Sequence, residues 1–165
     1  MRSLLVDAQS GSRVFQGAAS GALARSLRSI DPVTVYVVHS GVASSRVHLR
    51  PAAGSGASLL SVGRDGAGSA WFAQRTISPE SRTALLTQAA ASTVLSGVIL
   101  PDGSMSITSL TGGPSIATTP LTTPIPNGTL IEFSGAGLVW AEVWTAAHPR
   151  AVQAEHRARL AGMLP

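Results

Sequence analysis

The sequence predicts a mainly β protein: an antiparallel β-sandwich or barrel of about eight short strands, with two or three helices, one of them at the C-terminus. Three observations carry that prediction. Val33–Val38, VTVYVV, is a β-branched and aromatic run with almost no helix former. Short apolar runs recur along the chain, each closed by Gly, Pro, Asn or Asp, the punctuation of turns. The densest apolar run, Thr129–Trp144, breaks once at Ser134-Gly135-Ala136-Gly137, as a β-hairpin would, and holds Phe133, Trp140 and Trp144.

Taken in order, residues 1–16 open with Leu4-Leu5-Val6 and a second apolar pair at Val14-Phe15, which reads as an edge strand or an arm. In residues 17–30, Leu23, Leu27 and Ile30 fall at helical spacing, and Asp31-Pro32 closes the segment, since a residue before proline avoids the α region. Val33–Val38 and Val42–Arg50 then read as an antiparallel hairpin across Ser40-Gly41. Val47 and Leu49 alternate with Arg46, His48 and Arg50, so one face is wet. Strands follow at Ser58–Val62 and Ser69–Arg75, separated by a Gly-rich turn.

Ser78-Pro79-Glu80 has the residue types of a helix start, with a serine cap, proline at the first position and an acid in the first turn, so a helix is expected to about Ser92. Val94–Leu100 and Met105–Leu110 are strands joined by Pro101-Asp102-Gly103-Ser104, a β-turn by its residue types. Residues 111–128 hold four prolines and five threonines and cannot form a central strand. Thr145–Met163 reads as a C-terminal helix sparsely anchored by Val152 and Leu160. The chain therefore divides into an N-terminal arm with a short helix (1–32), a β-rich core (33–144) with the Pro/Thr-rich loop at 111–128, and a C-terminal helical arm (145–165).

Composition narrows the function. Charged residues make up 12% of the chain, about half the roughly 25% usual for a soluble domain, and the net charge is +4. Every basic side chain is Arg; a GC-rich coding bias is the simpler account, ahead of a need for bidentate cations at interfaces. The Arg residues are scattered, with no basic run, so direct nucleic-acid binding is not expected, and a solvated or subunit-contacting C-terminal helix is preferred to a nucleic-acid-binding one. Without Cys there are no disulfides or thiolate metal sites. Leu4, Leu5 and Val6 are too few for a signal-peptide core, and no apolar stretch reaches membrane-spanning length, so neither a signal peptide nor membrane insertion is expected.

The four His show no metal-ligand spacing, although His39 and His48 face each other if the hairpin forms. Glu132 and Glu142, in the two arms of the Thr129–Trp144 hairpin, could converge as a glycosidase pair. Solvent-facing glutamates opposite Arg are the simpler reading. GRDGAG lacks the lysine and serine of a phosphate loop, and Asn127-Gly128-Thr129 reads as a turn. No cofactor, metal or catalytic residue is predicted, and the chain is expected not to be an enzyme.

The stretches PIPNGTLIEFSGAGLVWAEVW and VTVYVVHSGVASSRVHLR, the latter followed by a Gly-rich turn and SAWFAQ, resemble the β-rich parts of bacteriophage virion accessory proteins. That resemblance implies a structural component of a virus particle, a capsid decoration or tail protein, made in the host cytoplasm and located in the virion. Its partners would be copies of itself and other virion proteins, bound through many weak contacts. Candidate contacts are Leu4, Leu5 and Phe15 in the N-terminal arm and Ile116, Leu121 and Ile125 in the Pro/Thr-rich loop. Val152, Arg157 and Leu160 are the candidates in the C-terminal helix. The alternative is a glycan-binding β-sandwich module stacking sugars on exposed Trp71, Trp140 or Trp144.

Overall fold

Val33, Val35 and Val37 point to one side of their strand, Tyr36 and Val38 to the other, and all five are buried. A strand apolar on both faces needs cover on both, and the fold supplies it: a second sheet on one side and a helix on the other. The computed structural model describes residues 13–17, 21–25, 32–41, 44–51, 60–64, 71–77, 80–86, 92–117 and 129–165. These form twelve strands and one helix: β1 Arg13–Gly17, β2 Gly21–Arg25, β3 Val33–Ser40, β4 Ser45–Pro51, β5 Leu60–Arg64, β6 Trp71–Ile77, β7 Glu80–Leu86, β8 Ser92–Ile99, β9 Met105–Ser109, β10 Ser115–Ala117, β11 Thr129–Ser134, β12 Leu138–Trp144 and α1 Arg150–Ala161.

The strands make two six-stranded antiparallel sheets. The first has the order β1-β12-β3-β8-β9-β10, the second β2-β11-β4-β5-β6-β7. The expected antiparallel sandwich is thus the fold, with twelve strands where about eight were counted. Between the sheets lies the main core, which includes Val35, Val37, Val47, Val62, Leu95, Ile107 and Val143. Gly97 permits a close approach there: a Cβ at that position would lie 2.8 Å from Val62 Cγ2 of the facing sheet.

Two expected hairpins are instead passages between sheets. β3 pairs with β12 and β8, whereas β4 pairs with β11 and β5. Likewise β11 belongs to the second sheet and β12 to the first. Turn residues reverse the chain equally well within a sheet or from one sheet to the other, so local sequence does not separate the two. The passages run side by side, stitched by Ser40 N to Gly137 O and Gly137 N to Ser44 O, both at 2.9 Å. Gly135, at φ +112°, is required here, because a side chain would collide with the Ser44 carbonyl.

Two expected helices are also strands. Within 17–30 the described residues are Gly17, which ends β1, and β2, which pairs with β11. Within 78–92, Glu80–Leu86 is β7, paired with β6 along its length. Ala84 and Leu86 point inward and Thr83 and Leu85 outward, the period of a strand. Pairing supplied by β6 overrides the capping signal at residues 78–80. The Pro101–Ser104 turn forms as expected: Asp102 Oδ1 accepts from Ser104 N at 2.9 Å and Ser104 Oγ at 2.6 Å. Of residues 111–128, Ser115–Ala117 forms β10 on the edge of the first sheet, and residues 118–128 lie outside the described residues.

The C-terminal helix is present. It lies on the outer face of the first sheet, where Leu160 joins Tyr36, Val38, Val94 and Trp144 in a second core. No helix among the described residues is long and apolar enough to cross a membrane.

Candidate functional site

The two outer faces of the sandwich differ. α1 covers that of the first sheet. On the second sheet, Val47 and Val62 point into the core, so alternation directs Arg46, His48 and Ser61 to the opposite face. Register places positions 132, 48, 61, 74 and 83 in one line across five strands: Glu132, His48, Ser61, Gln74 and Thr83. Every residue in that line is polar. His48 and Ser61, at its centre, are buried, while Arg46 beside them is half-buried. At the sheet edge Thr83 and Leu85 are open to solvent. A polar line through the middle of a sheet, with no helix over it among the described residues, can offer donors and acceptors at strand spacing, about 4.8 Å.

The expected pairings do not form. His39 lies on β3, in the first sheet, and His48 on β4, in the second, on its outer face; the two imidazoles do not face each other. Burial, reinforced by the Arg64 guanidinium, holds His39 well below the ordinary imidazole range, at about 4. Glu132 and Glu142 are likewise separated by sheet, so they are no carboxylate pair. Among the described residues, no group of three or more His, Asp or Glu is placed to hold a metal ion.

Glu142 is instead the centre of a cluster beneath α1. Its carboxylate is wholly buried and accepts from Trp144 Nε1 at 3.1 Å, from Trp140 Nε1 at 3.4 Å, and from Arg159 Nη2 at 3.1 Å on both oxygens. Burial alone would push its pKa up. Hydrogen bonding by His156 and Trp144, and the charge of Arg159, outweigh burial and bring it to about 2. Around it, the Tyr36 hydroxyl bonds His148 Nδ1 at 2.7 Å, and Tyr36 stacks on His156 at 4.8 Å. Burial pushes the Tyr36 hydroxyl up and the Arg157 guanidinium down. Ser96 Oγ donates to Gln153 Oε1 at 2.8 Å and accepts from Arg157 Nη1, and Gln153 Nε2 donates to the His148 carbonyl at 2.7 Å. This network fastens the helix to the sheet. One signal for it was in the sequence: Trp140, Glu142 and Trp144 stand two residues apart, so a strand places them on one face. Nothing local marked Tyr36, His148 and His156 as neighbours.

The candidate contact residues are dispersed. Leu4, Leu5, Leu121 and Ile125 lie outside the described residues. Phe15 is in β1, with its backbone opposite Val143. Ile116, on edge strand β10, is 53% exposed. Val152 and Arg157 are half-buried on α1, and Leu160 is wholly buried within the chain's own fold. The three Trp make no common platform. Trp144 is buried and Trp140 half-buried against the second core. Trp71 lies on β6 in the second sheet, with Arg64 and Leu86 as its cross-strand partners.

No protein-family model and no curated protein matches the chain. Solved structures do. Galectin LEC-6 of Caenorhabditis elegans superposes with a TM-score of 0.51 at 15% identity, over 79% of this chain and 94% of that one. Sheep galectin-11, solved with glycerol, gives 0.50 at 10% identity, over 76% and 97%. Toad ovary galectin, solved with thio-digalactose, gives 0.50 at 12%, over 77% and 99%. At these identities the likeness establishes the fold, a galectin-like β-sandwich. It also corrects the expectation of a virion structural protein, because the solved structures that share this sandwich are galectins and not virion proteins.

Proposed function

We propose that the chain is a carbohydrate-binding module whose ligand lies across the outer face of the second sheet, over β4, β5 and β6. The observation that carries this reading is the polar line through His48 and Ser61, with Arg46 beside it. A sugar presents hydroxyls on a rigid ring, and binding it takes donors and acceptors held in fixed register. Strands supply that register more rigidly than loops. The fold shared with a galectin solved with thio-digalactose supports the same reading. Stacking on Trp140 or Trp144 has no part in it, since both pack beneath α1. Glu132 and Glu142, which stand on different sheets, cannot flank one glycosidic bond and have no part in this reading.

The test is a glycan array that includes galactosides, followed by calorimetry on the best ligand for wild type, His48→Ala and Arg46→Ala. Each substitution is expected to weaken binding about tenfold or more, as removal of a hydrogen-bonding partner does, in protein whose circular dichroism shows it still folded. No ligand below millimolar Kd, or equal affinity in all three proteins, defeats the proposal.

A further inference from the structure

α1 covers only part of the first sheet's outer face. Ser96 on β8 meets Gln153 and Arg157 of the helix, so Ser96 and Val98 point outward. Pairing sets Thr108 of β9 beside Ser96, Ser106 beside Val98, and Ile116 of β10 beside Ser106. The helix packs on β3 and β8, and beyond it Leu110 and Ile116 are exposed. In this strip Val98, Leu100, Met105 and Ile116, with Ser104 and Ser106, line an apolar pocket of about 230 Å³. Pockets for drug-sized ligands run to roughly 300–1,000 Å³, so this one has room for a single alkyl chain.

A charge stands next to the pocket. Residues two apart on a helix point to nearly opposite sides. Arg159 reaches toward β12, where it is engaged by Glu142, and Arg157 reaches the other way, to β8. A guanidinium has five N–H donors. Arg157 uses one on Ser96 Oγ, and among the described residues no carboxylate pairs with it. It is half-buried, and burial pushes its pKa down, so its charge is short of solvation that an anion would supply. Ser96, which holds the guanidinium, and Val98, which lines the pocket, are two residues apart on one strand, about 7 Å.

We infer that this strip is a binding site for an aliphatic carboxylate, which lays its chain in the pocket on β8–β10 and its charge on Arg157. One cation and one apolar pocket, a short chain length apart, match one carboxylate and one alkyl tail. The ligand has a direction. Asp102, at the far end of the pocket, bonds Ser104 and would repel the carboxylate, so the head lies toward α1 and the tail toward the Pro101–Ser104 turn. The site is on the opposite sheet from the glycan face and does not depend on it.

An NMR titration of the intact protein at pH 7 with sodium octanoate, and with 1-octanol at matched concentrations, tests this. Octanoate is expected to shift the amides of Val98, Ser106 and Ile116 and to saturate with a millimolar Kd or better, usual for so small a ligand. Octanol should bind about tenfold more weakly, having no charge to bond Arg157. Arg157→Gln should weaken octanoate by about the same factor and leave octanol unchanged. Ser106→Phe, which fills the pocket, should abolish both, in protein whose circular dichroism shows it still folded. No saturation by about 10 mM overturns the inference. So does octanol binding as well as octanoate, undiminished octanoate affinity in either folded variant, or shifts confined to the second sheet.

Discussion

Glu142 shows how one side chain ties stability to pH. Its carboxyl titrates at about 2 in the fold against an ordinary 4.5. Because folding lowers it, the unfolded chain binds the proton more readily. Its contribution is complete above pH 4.5 and is lost as pH falls toward 2, on the order of 3 kcal/mol in all. Among the groups that lower it, the His156 hydrogen bond comes first, then the charge of Arg159, which solvent screens because that side chain is 51% exposed, then the Trp144 N–H. His39 works in the same direction at higher pH. Held at about 4 against 6.5, it favours the fold above pH 6.5, and that support fades as pH falls to 4. Urea titrations from pH 7 to 2 should show stability falling through both windows. Glu142→Gln should flatten the lower one and leave the upper; an unaltered lower window would refute the assignment.

At the scale of the element, packing between sheets outweighs local propensity. Gly97 in β8 looks out of place in a strand, yet it is what lets Val62 seat against the opposite sheet. Gly97→Ala is expected to cost about 1–3 kcal/mol by overpacking. Combined with Val62→Ala, it should cost less than the sum of the two single changes, by at least ~0.5 kcal/mol, in a double-mutant cycle. Strict additivity would mean the two positions do not press on each other. The same precedence explains which elements were legible. The doubly apolar β3 and the Asp102 turn announce themselves in the sequence, and so does the C-terminal helix. β7 does not, because Ser78-Pro79-Glu80 imitates a helix start and only the neighbour β6 makes it a strand. The polar line of the candidate site was half legible. The alternation of Arg46, His48 and Arg50 was plain, but its alignment with Ser61 and Glu132 belongs to pairing between distant segments.

For the whole molecule, the helix is a third layer rather than an appendage. Tyr36, Val38, Val94 and Trp144 are apolar or aromatic on a face that water would otherwise meet. A chain ending at Thr145 should therefore bind hydrophobic dyes and associate, seen by dye fluorescence and light scattering; a soluble, monomeric product with an unchanged melting temperature would contradict this. What the sequence did not disclose at this scale was the weave of strands between sheets. Turns at 40–44 and 134–137 look like hairpin tips, and no local feature says that the two strands they join lie in different layers.

That weave has a consequence for how the chain is made. β12 lies between β1 and β3, joining the start of the described chain to its end. During synthesis β3 has left the ribosome long before its neighbour on one side exists, whereas β4 to β7 can pair as they emerge. The second sheet's run of hairpins can thus assemble early, and the first must wait, with the edge of β3 open, until residue 144 has been added. Its closure depends on contacts between residues more than a hundred positions apart, the kind that form slowly. Until then β3, apolar on both faces, is a segment a chaperone would have reason to hold.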